Sequence, residues 1–359
     1  MTTPATMVYP EVARGLEGIV SHATQLSEVD GHAGRLTIRG YDIRALVGQV
    51  SFEEAAYLLW HGDLPNRRQL DDVQRDMVAA RHLPGPIMDV LRGAVRAADG
   101  MHALRMGAAT LSLDAPDADD LSQEANRRLA LRITSRLPAL VAHHFRLQHG
   151  QAICEPPDHL GFAAGYLYML EGREPDPVRV DGLNAYLVAI IEHGMNASTF
   201  TARVIASTDA DMVSAITGAV GALKGPKHGG VPGPVLEMLT AIGTPERAEA
   251  WIRAALGRGE RIMGFGHRVY KVRDPRAAIL SAAAETMAQQ TGDRELLDFT
   301  MEVERVTVKI LDEVKPGRDL QSPHPPTVGV RWAARSHLHA YRSTLDEFLV
   351  PSPRGRGLG

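Results

Sequence analysis

The strongest constraint on this chain is a helical period that starts at Ser51 and recurs, with short breaks, as far as Glu313. Ser51 and Glu54 have the spacing of a capping box, and Ala55, Leu58 and Leu59 follow as an apolar stripe. Gly62 to Pro65 ends that helix. The same punctuation predicts helices over 68–82, 87–98, 101–113, 123–148, 161–170, 180–193, 199–207, 209–223, 234–242, 245–257, 275–291 and 294–313. Pro138 lies inside the longest and is expected to kink it, because proline donates no N–H and its ring crowds the preceding turn. His143 and His144, adjacent on that helix, point in different directions and read as polar-face or interface residues. Alanine and leucine recur throughout and aromatic residues make up only 5%, which suits close packing in a helical bundle. Ahead of the helices, residues 15–40 suit a short β segment: 20–26 is partly β-branched, Asp30-Gly31 marks a turn, and residues 35–39 alternate polar with apolar. The expected fold class is mainly α with a short N-terminal β segment.

A chain of 359 residues can bury a full core and is expected to divide into two domains. Its formal charge of −4 lacks the basic excess typical of nucleic-acid binding. No apolar run has the length needed to cross a bilayer, and residues 1–6 have neither the basic start nor the apolar block of a signal peptide. Cys154 is the only cysteine, so no intrachain disulfide forms, and a reducing, cytoplasmic compartment is expected. The tail differs in character. Gln321-Ser322-Pro323-His324-Pro325-Pro326 forbids a regular element, residues 331–359 hold five arginines against Asp346 and Glu347, and the end beyond Leu349 is predicted to be disordered.

Three of the fifteen histidines stand out by their neighbours. His193 lies in Glu192-His193-Gly194-Met195-Asn196-Ala197-Ser198-Thr199, where Gly194 ends one helix and Asn196, Ser198 and Thr199 offer caps for the next. His228 lies in Lys224-Gly225-Pro226-Lys227-His228-Gly229-Gly230, where backbone hydrogen bonds can set its protonation and a neutral imidazole can donate to a carbonyl. His267 follows Gly264-Phe265-Gly266 and precedes four cations, Arg268, Lys271, Arg273 and Arg276. Glycines let a backbone approach a ligand, the histidine can exchange a proton near neutral pH, and an arginine can grip a carboxylate through two hydrogen bonds. The alternative for each segment is a helix–helix corner or surface turn. The three histidines are each more than thirty residues from the next, no HExxH occurs and one cysteine cannot build a thiolate site, so no metal is expected. Gly264-Phe265-Gly266 lacks the third glycine of a dinucleotide fingerprint, and no GxSxG elbow is present.

Taken in order, His193–Phe200, Gly225–Gly230 and Gly264–Lys271, closed by Asp274-Pro275-Arg276, resemble the citrate synthase family. The resemblance starts near Gly15, continues through Ile38–Asp42 and Tyr57–Trp60, and runs to about Asp319. It implies a transferase of the tricarboxylic acid cycle, an acyltransferase that condenses acetyl-CoA with oxaloacetate through an enol to give citrate and CoA. It further implies no cofactor beyond the acetyl-CoA substrate, and a homodimer. By matching motif, His228 would hydrogen-bond the thioester oxygen, and His267 would polarise the oxaloacetate carbonyl and protonate the alkoxide. His193 and Arg276 would hold the oxaloacetate carboxylates. Met263, Gly264, Phe265 and Gly266 would lie against the CoA adenine, with Arg268, Lys271 or Arg273 near its phosphates. The implied domains are a large helical one over 1–229, a smaller one over 230–331 that closes the cleft, and an atypical remnant of the large domain over 332–359.

One part of the family pattern has no counterpart. Family members carry an aspartate or glutamate base shortly after the segment matched by Lys315-Pro316-Gly317-Arg318, and here proline-rich sequence follows. Two later family arginines are also unmatched. Three readings therefore stand: citrate synthase, 2-methylcitrate synthase using propionyl-CoA, and a catalytically impaired or inactive homologue. The abrupt change motivates the hypothesis that a shifted reading frame replaced the family tail. Translating the nucleotide sequence in all three frames should then restore a carboxylate motif downstream of Arg318; if no frame does, the frameshift explanation fails.

Overall fold

The computed structural model describes residues 20, 22–94, 98–225, 228, 232–265, 272, 274–291 and 294–314. Three short strands, β1 (Ser27–Asp30), β2 (Arg35–Ile38) and β3 (Tyr41–Asp42), form an antiparallel sheet in that order, with Ser27 opposite Ile38 and Asp30 opposite Arg35. The first strand lies just after the expected 20–26 stretch. Asp30 Oδ1 accepts from the N–H groups of His32 (3.0 Å) and Ala33 (2.8 Å), so the chain reverses immediately after Asp30. Only the residues directly before that turn can face β2.

Helices fill most of the rest: α1 (Ile43–Leu46), α2 (Phe52–His61), α3 (Arg67–Ala80), α4 (Gly85–Ala94), α5 (Gly100–Thr110), α6 (Gln123–Gln148), α7 (Phe162–Glu171) and α8 (Pro177–Ile190). They continue as α9 (Ala197–Ala206), α10 (Met212–Leu223), α11 (Pro232–Ile242), α12 (Ala248–Gly257), α13 (Pro275–Thr291) and α14 (Glu295–Val314). The capping box is present as expected. Ser51 Oγ accepts from Glu54 N–H (3.2 Å), Glu54 Oε2 accepts from Ser51 N–H (2.7 Å), and Gly62 closes the helix in the left-handed conformation. α6 keeps its full expected length through Pro138. α8 stops at Ile190, short of the expected 193, because the N–H of Gly194 goes to the Glu192 carboxylate (2.7 Å) and not to a helical carbonyl.

Three apolar cores organise these elements. Leu91, Leu129, Ile133 and Leu140 centre the one built on α4, α5 and α6. Leu36 and Ile38 of β2 pack with Ile43, Leu46, Leu58, Val188, Ala277 and Leu280, which joins the sheet to α1, α2, α8 and α13. Val235, Ile242, Ile252 and Ile310 form a third from α11, α12 and α14. Each such fully buried aliphatic side chain contributes about 1.5–3 kcal/mol of apolar burial.

His143 and His144 do not line a polar face. Both are buried, His143 completely, and among the described residues neither His143 ring nitrogen has a hydrogen-bond partner. The nearest carboxylate oxygen, Glu155 Oε1, is 3.9 Å from its Nε2. Burial, with His82 and Arg146 adding positive charge nearby, pulls the imidazole from its ordinary 6.5 down to about 4. The folded chain therefore keeps His143 neutral where the unfolded chain protonates it. That penalty is absent above pH 6.5 and grows as the pH falls toward about 4. Going from pH 7 to pH 5, this group should cost about 2 kcal/mol of stability, and His143→Leu should remove that part of the pH dependence, as read by urea unfolding at both pH values.

Candidate active site

The segment between α8 and α9 links two of the three singled-out histidines. Gly194 takes φ 75°, a conformation that glycine adopts without a Cβ penalty, and turns the chain out of α8 just after the partly buried His193. Asn196 then caps α9, its Oδ1 accepting from Thr199 N–H at 2.9 Å. Of the three residues that offer caps in the sequence, only Asn196 is the N-cap. Ser198 has a different part.

Ser198 stands in the first turn of α9, where the backbone N–H groups have no helical acceptor. Its N–H donates to His228 Nε2 at 3.2 Å, and its Oγ lies 2.7 Å from the same nitrogen. The hydroxyl is also 2.9 Å from the carbonyl of Ala219 on α10, which it can reach as a donor. α9 and α10 meet at Gly218, where an added Cβ would require the Cδ1 end of the Ile205 side chain to turn aside. Beyond α10, His228 N–H donates to Gly225 O at 2.9 Å, which holds the partly buried histidine over the start of α9.

This contact favours one tautomer. A backbone N–H always donates and cannot turn round, so Nε2 presents its lone pair to Ser198. With Nε2 as acceptor, the one hydrogen of the Ser198 hydroxyl must turn to Nε2 and not to Ala219 O, and a neutral ring would then carry its proton on Nδ1. His228 is thus arranged to donate from Nδ1 to a carbonyl oxygen, with its other nitrogen held by the backbone.

Arg276 opens α13 and is buried. Asp274, fully buried, accepts its backbone N–H (2.9 Å), its Nε (3.1 Å) and its Nη2 (2.7 Å). One edge of the guanidinium is therefore filled; among the described residues Nη1 meets no acceptor, so Nη1 and the second Nη2 hydrogen could serve as a fork for a second carboxylate. Tyr186, one turn before the end of α8, is close enough to feel the charge. Burial pushes its phenol up and Arg276 acts in the opposite sense.

Met263, Gly264 and Phe265 follow α12. Gly264 is buried with φ 89°, and Met263 and Phe265 pack on the third core. Gly266, His267, Arg268, Lys271 and Arg273 lie outside the described residues, as does the whole tail from 315 onward. Among the described residues no group of three or more His, Cys, Asp or Glu side chains is placed to hold a metal ion.

Sequence reasoning missed the Ser198–His228 contact and the bond from Gly194 to Glu192. The only signal was the presence of polar residues around one glycine turn, which also fits simple capping. Ser198→Ala keeps the backbone N–H and the Asn196 cap but removes the hydroxyl. It should fold normally and slow thioester cleavage by roughly tenfold, the size of one hydrogen bond, measured as release of free CoA.

The chain is similar to known proteins over most of its length. Residues 15–348 match the sequence family described as "Citrate synthase, C-terminal domain", a match that extends past Asp319, where the recognisable motifs end. "Citrate synthase 2" of Bacillus subtilis (strain 168) is 41% identical over 294 residues, 82% of this chain and 78% of the relative. "2-methylcitrate synthase" of Mycobacterium tuberculosis (strain ATCC 25618 / H37Rv) is 37% identical over 299 residues, 83% of this chain and 76% of the relative. The crystal structure of citrate synthase from Pyrobaculum aerophilum matches with a TM-score of 0.78 at 30% identity, over 100% of this chain and 96% of that one. With helices, turn segments and sequence in agreement over most of its length, the chain belongs to the citrate synthase family.

Proposed function

We propose that the chain joins the methyl carbon of acetyl-CoA to the ketone of oxaloacetate and hydrolyses the citryl thioester, giving citrate and CoA. The observation that carries this reading is the Ser198 N–H on His228 Nε2 (3.2 Å), which favours the tautomer with Nδ1–H as donor. That donor meets the thioester oxygen and stabilises the enol formed when a methyl proton is lost. His267 polarises the ketone and protonates the alkoxide that develops as the new carbon–carbon bond forms. His193 and the open edge of Arg276 hold the oxaloacetate carboxylates. The Met263–Gly266 backbone lies along the CoA adenine, with Arg268, Lys271 or Arg273 at the phosphates. No residue of this chain is given the part of the base that removes the methyl proton, because the family motif for it has no counterpart after Arg318.

The reading includes an assembly and a setting. The separate core of α11, α12 and α14 supports a smaller domain over about 230–331 that closes on a larger one over 1–229. α9 has no buried residue and exposes Phe200 and Val204, a face that a second copy of the chain would cover in a homodimer. No helix among the described residues is long and apolar enough to cross a membrane, in keeping with a cytoplasmic enzyme. Acetyl-CoA acts as substrate, and no metal or further cofactor takes part.

A second reading, 2-methylcitrate synthase, is favoured by the Mycobacterium tuberculosis relative of that name. One methylene separates the acyl substrates, a difference of about 1–3 kcal/mol in an apolar pocket. A single assay separates the readings. The purified chain with oxaloacetate should release free CoA from acetyl-CoA faster than from propionyl-CoA, and His228→Ala should slow it by about 10²–10⁴-fold. The opposite preference would identify the methylcitrate enzyme. CoA release at the uncatalysed rate from both thioesters would instead identify a silent homologue.

A further inference from the structure

Glu192 is a carboxylate that the condensation chemistry does not use, yet it joins two distant parts of the chain. Its Oε1 accepts the N–H of Gly194 at 2.7 Å and the hydroxyl of Ser27, on β1, at 3.0 Å. Gly194 holds the left-handed turn (φ 75°), and its nearest neighbour on the side where a Cβ would stand is Val29 Cγ2, also of β1, at 4.0 Å. The turn that carries His193 is thus pinned on one side by its own preceding residue and on the other by the N-terminal sheet. The sheet does not move freely: Leu36 and Ile38 of its middle strand are fully buried against Val188 and Ala189 at the end of α8.

We infer that Glu192 is a positioning residue for His193, which fixes the Gly194 turn through its backbone N–H and ties it to β1 through Ser27. The inference rests on the reading of His193 as a ligand of an oxaloacetate carboxylate. Glycine has the widest backbone freedom of any residue, so a turn built on it stays in one place only when something external holds it. Two donors converging on one carboxylate oxygen supply that hold. Glu192 acts on the geometry of its neighbour, so what it needs is an acceptor oxygen in that place and not a negative charge. His228 is held by Gly225 O as well as by the first turn of α9, and that turn has its own cap in Asn196. Loss of the Glu192 clamp should therefore weaken oxaloacetate and leave CoA binding largely intact.

The test measures equilibrium binding, which does not depend on turnover: calorimetric titration of the full chain with oxaloacetate and, separately, with CoA, alongside the thermal midpoint of each variant. Glu192→Ala should raise the oxaloacetate Kd by about tenfold or more while the CoA Kd stays within about twofold. Glu192→Gln retains the acceptor oxygen and should recover most of the affinity, whereas a residue needed only for folding would not sort the two ligands in this way. Ser27→Ala removes one of the two donors and should give an intermediate loss. It carries the same test should Glu192→Ala fail to fold, and wild-type affinity in Ser27→Ala would then overturn the inference. His193→Ala serves as the reference. If it loses oxaloacetate while Glu192→Ala binds as the wild type does, the positioning role is wrong and the His193 assignment stands. If His193→Ala itself binds oxaloacetate normally, the assignment of His193 falls, and the inference with it. An equal loss in Glu192→Gln and Glu192→Ala would show that charge, not geometry, is what matters, and would also overturn it.

Discussion

The described part of the site depends on the close approach of α9 and α10. Gly218 lies at that contact, where an added Cβ would require the Cδ1 end of the Ile205 side chain to turn aside. That approach lets the Ser198 hydroxyl reach the carbonyl of Ala219 and brings the first turn of α9 under His228. A backbone N–H there favours Nε2 as the acceptor of the imidazole, which leaves Nδ1 to carry the proton of a neutral ring.

Buried titratable groups are accommodated in two ways. Arg276 is buried with Asp274 beside it, so the cation is compensated before any ligand arrives and keeps one edge open. An unpaired guanidinium in that place would carry a desolvation cost of several kcal/mol. His143 is the contrary case: among the described residues its two ring nitrogens have no partner, and the group stays neutral instead. The two residues show the alternatives open to a buried titratable side chain, pairing or loss of charge.

Much of the fold was legible in the sequence because helix formation is a local matter. The Ser51–Glu54 box, the span of α6 and the start of α13 at Pro275 all followed from residues within a few positions of one another. The helix ends that shifted did so where a side chain took a backbone N–H from the helix, as Glu192 does at Gly194, or where one of several possible caps had to be chosen, as at Asn196. His143, expected on a polar face or at an interface, is buried in the fold for the same reason. Its position on α6 could be read from its period, but which face of α6 meets the core depends on helices far away in sequence.

By itself, the sequence determined that the chain is helical, that three histidines stand in glycine-rich turns, and that these turns follow the citrate synthase pattern up to the tail. Only the tertiary structure decided how those turns are used. Ser198 and His228 are thirty positions apart, as local residues they look like a cap and a loop, and only helix packing makes them partners. Ser27 and Glu192 are separated by 165 positions and meet because the apolar side of β2 is buried against the end of α8. Local patterns record which backbone conformations are favourable, whereas hydrogen bonds between distant residues exist only once apolar burial has brought the elements together.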